Sequence, residues 1–168
     1  MIEKFKTLFF VKSSLISLYL ALTIPIPFIS SKNLKILSII SFVFGFLLIV
    51  NITNDYVNTC DNKISYKTTF ISKIFGKKNW EVSWKDIKLI KSLPTSQGSK
   101  VHYFISNKDE SFLIPQRVEN FEKFVSIVEG KSNLNIDGLS YISPLWTYKL
   151  LTFLSMFMVF GEIIAFII

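Results

Sequence analysis

FGKKNWEVSWKDIKLI, residues 75–90, alternates apolar and polar side chains around two tryptophans. Period-2 alternation of this kind marks a half-buried strand. Trp80, Val82 and Trp84 share one face, and Asn79, Glu81, Ser83 and Lys85 share the other. The apolar face predicts burial inside a barrel or against a closing helix. The polar face, with Lys77 and Lys78 ahead of it, is left for a membrane leaflet or a partner.

Working outward, Ile64, Tyr66 and Thr68 alternate with Ser65, Lys67 and Thr69, and Phe70, Ile71, Ile74 and Phe75 prolong the apolar stretch to Gly76. Downstream, DIKLIKS predicts another short strand and SLPTSQGS, residues 92–99, a turn-rich loop. VHYFIS and SFLIP follow as two strands joined by a tight turn at NKDE. Val118, Phe121, Phe124, Val125 and Val128 recur at helical spacing. They predict one amphipathic helix, with Glu119 four residues before Lys123 and Gly130 just past its end.

On both sides of this insert the chain turns apolar. Nineteen residues without a charge separate Lys12 from Lys32, and another nineteen separate Lys35 from Asp55. Each is long enough to cross about 30 Å of hydrocarbon as a helix, and insertion of the second is favourable by on the order of 5 kcal/mol. Pro25 and Pro27 confine the first helix to its earlier part and, with Ser30 to Asn33, predict the turn of a helical hairpin. A second apolar segment follows and no small-x-small cleavage site does, so an uncleaved hairpin is preferred to a signal peptide. Spans are expected over about residues 10–29 and 34–53. A third begins near Ser143-Pro144, carries Trp146, Tyr148 and Lys149 as interface anchors, and runs to Ile168.

Lys4, Lys6 and Lys12 precede the first span and Lys149 the third, against Lys32 and Lys35 in the hairpin turn. The positive-inside bias therefore places the amino terminus and residues 56–142 in the cytoplasm. The expected organisation is a hairpin over 1–55, a cytoplasmic domain over 56–142 and a third membrane helix over 143–168, in a bacterial plasma membrane or thylakoid membrane.

Composition agrees with a membrane protein: half of the 168 residues are hydrophobic, 17 of them Phe. The 19 Lys and Arg include a single arginine, Arg117, and are spread rather than set in a dense stripe, which speaks against nucleic acid. One cysteine, Cys60, and one histidine, His102, exclude a disulfide framework within the chain and a Cys/His zinc cluster.

Strands followed by one carboxy-terminal helix is the element order of pleckstrin-homology-like (PH-like) domains. Through DNKISYKTTFISKIFG, VSWKDIKLI and SFLIPQRVENFEKFVSIV, roughly residues 57–130, the chain resembles the bacterial PH-like membrane proteins, in which helices precede or flank such a domain. That resemblance implies an α+β membrane protein, with a PH-like β-barrel and C-terminal closing helix between the hairpin and the third helix. A weaker similarity, in architecture and in FGKKN and DIK, runs to the two-helix photosystem I assembly factors of cyanobacteria and chloroplasts, which normally lack a third apolar segment.

No catalytic, cofactor-binding or metal-binding residues are predicted, because nucleophiles, acids and ligands do not converge in the pattern. Asp109-Glu110 reads as a solvated hairpin tip. His102 falls on the face opposite Val101, Tyr103 and Ile105, as a packing residue. Lys73, Lys77, Lys78 and Lys85 form the candidate lipid or partner surface. Residues 57–91 hold eight Lys against three acids, and juxtamembrane lysines contribute about 1 kcal/mol each on anionic lipid. Glu162 lies about 20 Å along the third helix from Lys149. An intramembrane carboxylate is functional or paired by default, and a pairing with Lys35, a protonated glutamate at rest, or a contact with a partner subunit or homo-oligomer are the candidates.

The expected function is thus a non-enzymatic integral membrane protein, without cofactor. It would act as a scaffold or assembly factor that presents its domain to a protein partner or to the anionic leaflet. The alternatives are an assembly factor of a photosynthetic membrane complex, or an accessory subunit of a transporter or membrane enzyme using Glu162.

Overall fold

The computed structural model describes residues 2–96, 98–134, 136 and 138–168. It is a mixed α+β structure whose chain divides into two compact units, a strand unit of Met1–Leu8 with Asn54–Ser143 and a helical unit of Phe9–Thr53 with Pro144–Ile168.

In the strand unit the strands form two sheets rather than the closed barrel expected. The first has the order β1 (Glu3–Lys6), β2 (Tyr56–Thr59), β3 (Lys63–Lys67), β4 (Trp80–Ser83), and the second β5 (Ile87–Pro94), β6 (Lys100–Ser106), β7 (Ser111–Leu113), all antiparallel. The sheets separate at Trp84. Its buried indole donates to the Cys60 carbonyl at 2.9 Å, and a 3-10 turn over Trp84–Asp86 breaks the strand that the alternation predicted to continue. At the other side an isolated bridge, Thr7 to Val118, joins the end of β1 to the segment after β7.

β1 was not foreseen, its lysines having been read only as a charged flank. Phe5 is its one buried side chain, set edge-on to Phe124 at 5.4 Å between ring centres. Phe124 belongs to helix α5 (Phe121–Ser132), which turns Phe121, Phe124 and Val128 into the core with Ile64, Phe104 and Ile114. The helix runs through Gly130 and stops at Asn133, which takes the left-handed conformation. Val118 precedes it. Glu119 also lies outside, so Lys123 pairs with Glu3 instead, at 2.6 Å.

Two further expectations change. Phe70–Ile74 is not an extended stretch but a one-turn helix, α4. The turn-rich loop is shorter than 92–99, because β5 continues through Pro94, a residue an edge strand accepts. Gln97, within that loop, lies outside the described residues.

The helical unit comprises α1 (Phe9–Thr23), α2 (Pro25–Ile29), α3 (Lys35–Ile52) and α6 (Leu145–Ile167). Phe9–Ile29, Lys35–Ile52 and Leu145–Phe166 are long and apolar enough to cross a membrane. At 1.5 Å per residue they span about 27 to 33 Å. The prolines start α2 instead of forming the turn, since proline is tolerated in a first helical turn. The reversal falls after it, at Ser30–Leu34.

Small side chains set the packing of α1, whose Ser14, Ser17 and Ala21 are buried. Along α1 and α6, Lys149 lies over the Phe10 ring, Ser13 meets Thr152 at 3.4 Å, and Phe28 stacks on Phe166 at 4.4 Å. The pairs advance together, so the two helices are parallel. Tyr19 donates to the Phe42 carbonyl of α3 at 2.6 Å and lies over Gly45, where a Cβ would come within 2.5 Å of its hydroxyl.

Candidate functional site

Four lysines were singled out, and the structure separates them. Lys77 is committed to the fold: its ammonium bonds Asp55 Oδ2 at 2.5 Å. Asp55 is buried, and also accepts from the Tyr66 hydroxyl and the Thr69 amide, each at 3.0 Å. Burial alone would raise its pKa. The Lys77 ammonium, the Thr69 amide and Ser72 outweigh that and hold the carboxyl below its ordinary 3.8. The Tyr66 phenol is pushed up, by burial and then by the Asp55 charge. With its oxygens bonded to Lys77, Tyr66 and Thr69, and Ser72 beside them, Asp55 acts as a structural clamp.

What the clamp fixes is α4. Thr69 caps its amino end by accepting from the Ser72 amide, and Gly76, at φ 84°, closes the other end. The amides of Gly76 and Lys77 return to the carbonyls of Lys73 and Ser72 at 3.0 Å, a Schellman closure. Ser72 points into the unit. Phe70, Ile74 and Phe75 point out, 76 %, 68 % and 66 % exposed, beside Lys73 and Lys78. Lys85 sits apart, exposed in the 3-10 turn. The exposed apolar trio was missed because period 2 was carried past Lys67. The sequence signal for it is a Thr cap, Phe70 and Ile74 four apart, and Gly76 behind.

A second surface lies on the outer face of the β5–β6–β7 sheet. The register aligns Leu89 with Ile105, Leu93 with Val101, and Tyr103 with Leu113. Three of these, Leu89, Leu93 and Leu113, are exposed, and the other three are half-buried. The opposite face holds Phe104 and His102 in the core. His102 Nδ1 bonds the Ser92 hydroxyl at 2.8 Å, and Nε2 is buried without a partner. Burial, and then Lys100, lowers its pKa below 6.5, so the ring is neutral. Asp109 is the solvated tip of the β6–β7 hairpin, with φ 59°. Among the described residues no three His, Cys, Asp or Glu side chains gather as a metal site.

In the helical unit Glu162 Oε2 is buried and has no hydrogen-bond partner among the described residues. The anticipated contact with Lys35 is not formed. Lys35 is exposed at the first residue of α3, whereas Glu162 lies one turn inward from Phe166, which stacks on Phe28.

No protein-family model matches the chain. It is similar to Uncharacterized protein slr0269 of Synechocystis sp., with 28 % identity over 164 residues, covering 94 % of this chain and 82 % of that protein. A match of that length takes in most of the strand unit and of the helical unit together.

Proposed function

We propose that the protein is a non-enzymatic integral membrane scaffold or assembly factor, whose strand unit, a PH-like domain in open form, offers a docking surface to a membrane-protein partner. The observation that carries this reading is the outer face of the β5–β6–β7 sheet. The solvated face of an antiparallel sheet is normally polar, yet here Leu89, Leu93, Val101, Tyr103, Ile105 and Leu113 share one face by register, with Lys91 and Ser111 as the polar residues among them. Contiguous patches of this kind mark interaction sites. The order of elements, strands and then α5, supports the PH-like assignment.

The pairing of β1 with β2 supports the hairpin. Residues on either side of α1–α3 share one sheet, so they lie on one side of a membrane, and two crossings between them satisfy that. The lysine distribution makes that side the cytoplasm. Co-purification in mild detergent with mass spectrometry tests the proposal. A specific partner recovered with the native chain and lost with Leu93→Lys/Leu113→Lys is expected. An unchanged partner set would assign binding elsewhere, and a clean monomer would count against a scaffold.

A second reading, assembly of a photosynthetic membrane complex, is favoured by the similarity to a protein of a cyanobacterium. Recovery of photosystem subunits in the same experiment would select it.

A further inference from the structure

We propose that α4 is a membrane wedge: Phe70, Ile74 and Phe75 enter the headgroup layer of an anionic bilayer while Lys73 and Lys78 hold the lipid phosphates. The inference rests on the reading of α1, α3 and α6 as membrane spans, and adds to it a second, peripheral contact by the strand unit.

Three observations converge on a lipid surface. First, the apolar side chains are displayed on a turn that cannot fold them away. Thr69 and Gly76 close both its ends, and Ser72, fully buried, fixes which way it faces. A soluble domain leaves single apolar residues exposed, but two phenylalanines and an isoleucine on one rigid turn form a patch with a use. Second, residues 70–78 carry three lysines and no acid. Lys77 is spent on Asp55, while Lys73 and Lys78 flank the apolar tip and form no ion pair among the described residues. An apolar tip ringed by cations matches a bilayer interface, where acyl chains lie behind anionic headgroups. Third, the clamp residue that fixes α4 is Asp55, three residues beyond the end of α3. Three residues of chain reach about 10 Å at most. An element bolted to Asp55 is therefore tethered close to the point at which the chain leaves a span. The lipid is near at high effective concentration, and the wedge does not have to recruit the protein from solution.

The occupant is a lipid surface rather than a second copy because the patch is cationic, and two copies would bring like charges together. No particular headgroup is implied, since the lysines are point charges without the planar fork of arginine.

The test uses the full chain with Cys60→Ser, carrying one environment-sensitive fluorophore on a cysteine at position 74, 43 or 108, in lipid nanodiscs. Discs of phosphatidylcholine alone are compared with discs rich in phosphatidylglycerol, each with brominated acyl chains as quencher. The label at 74 is expected to shift blue and be quenched in the anionic discs, the label at 43 in both, and the label at 108 in neither. Lys73→Ala/Lys78→Ala should lower the insertion equilibrium at 74 by roughly thirty-fold. A wet label at 74 beside a quenched label at 43 overturns the wedge alone. A wet label at 43 overturns the spanning reading and the wedge with it. Insertion at 74 indifferent to anionic lipid, or protection appearing only in discs loaded with two copies, also overturns the assignment.

Discussion

Asp55 and Glu162 are both carboxyl groups removed from water, and the two units treat them in opposite ways. Asp55 meets an ammonium, a phenol and an amide within 3.0 Å. Glu162 leaves one oxygen buried with no hydrogen-bond partner among the described residues. A buried charge is tolerated only when paired and hydrogen-bonded. The strand unit therefore satisfies its buried carboxyl internally, whereas the described residues of the helical unit supply no donor to that oxygen of Glu162.

The contrast can be broken most severely at Asp55. Asp55→Ala strands Tyr66, the Thr69 amide and Lys77 together, and should destabilise the strand unit by about 3 kcal/mol. Thermal unfolding followed by the fluorescence of Trp80 and Trp84 reads this. The same clamp carries a pH signature. Because the folded carboxyl titrates below 3.8, its contribution is present above that value and is lost as pH falls through the folded pKa. Asp55→Ala should flatten the acid limb of the unfolding profile.

At Glu162 the sign reverses. Glu162→Leu should favour insertion of α6 by about 2 kcal/mol, measurable by glycosylation mapping of an α6 reporter. Glu162→Gln should at the same time weaken helix association, seen as loss of complex on blue-native gels. Unchanged migration would show the carboxyl to be spare.

A smaller effect is expected at Gly45. Gly45→Ala presses on Tyr19 and should cost the bond to the Phe42 carbonyl, about 1 kcal/mol in detergent unfolding. Tyr19→Phe should cost about as much, and the double variant less than the two together.

The smallest concerns His102. Its folded pKa lies below 6.5, so the unfolded chain takes up protons first and stability declines as pH falls through 6.5 toward the folded value. His102→Gln should remove that slope from the unfolding curve.

The three apolar helices were legible because apolar runs of this length stand out in a sequence, even in the third, which Glu162 interrupts. The strands over 63–67, 80–83 and 100–106 were legible because one face of each is buried. What escaped notice was decided by single residues acting against the period. Thr69 and Gly76 turned an apolar run into a helix, and the indole of Trp84 ended a strand that its own side chain seemed to extend. β1 escaped because four residues, EKFK, carry too little pattern, and only the distant Phe124 gives Phe5 its place. At the candidate surfaces, lysines were easy to count, but which were free was a matter of the Asp55 clamp. The sheet's outer patch needed the strand register to bring Leu93 beside Val101 and Tyr103 beside Leu113.

The position of β1 also sets an order of assembly. Glu3–Lys6 precedes α1–α3 in the chain, yet its partner β2 follows α3, with 56 residues separating Glu3 from Thr59. Closing so long a loop in water is entropically costly and slow. On the membrane reading proposed above, a hairpin already in the bilayer would return the chain to the side it left and do most of that closing in advance. On that reading completion of the first sheet would depend on the hairpin, and a chain whose spans failed to insert would keep an unpaired strand edge on view to chaperones and proteases.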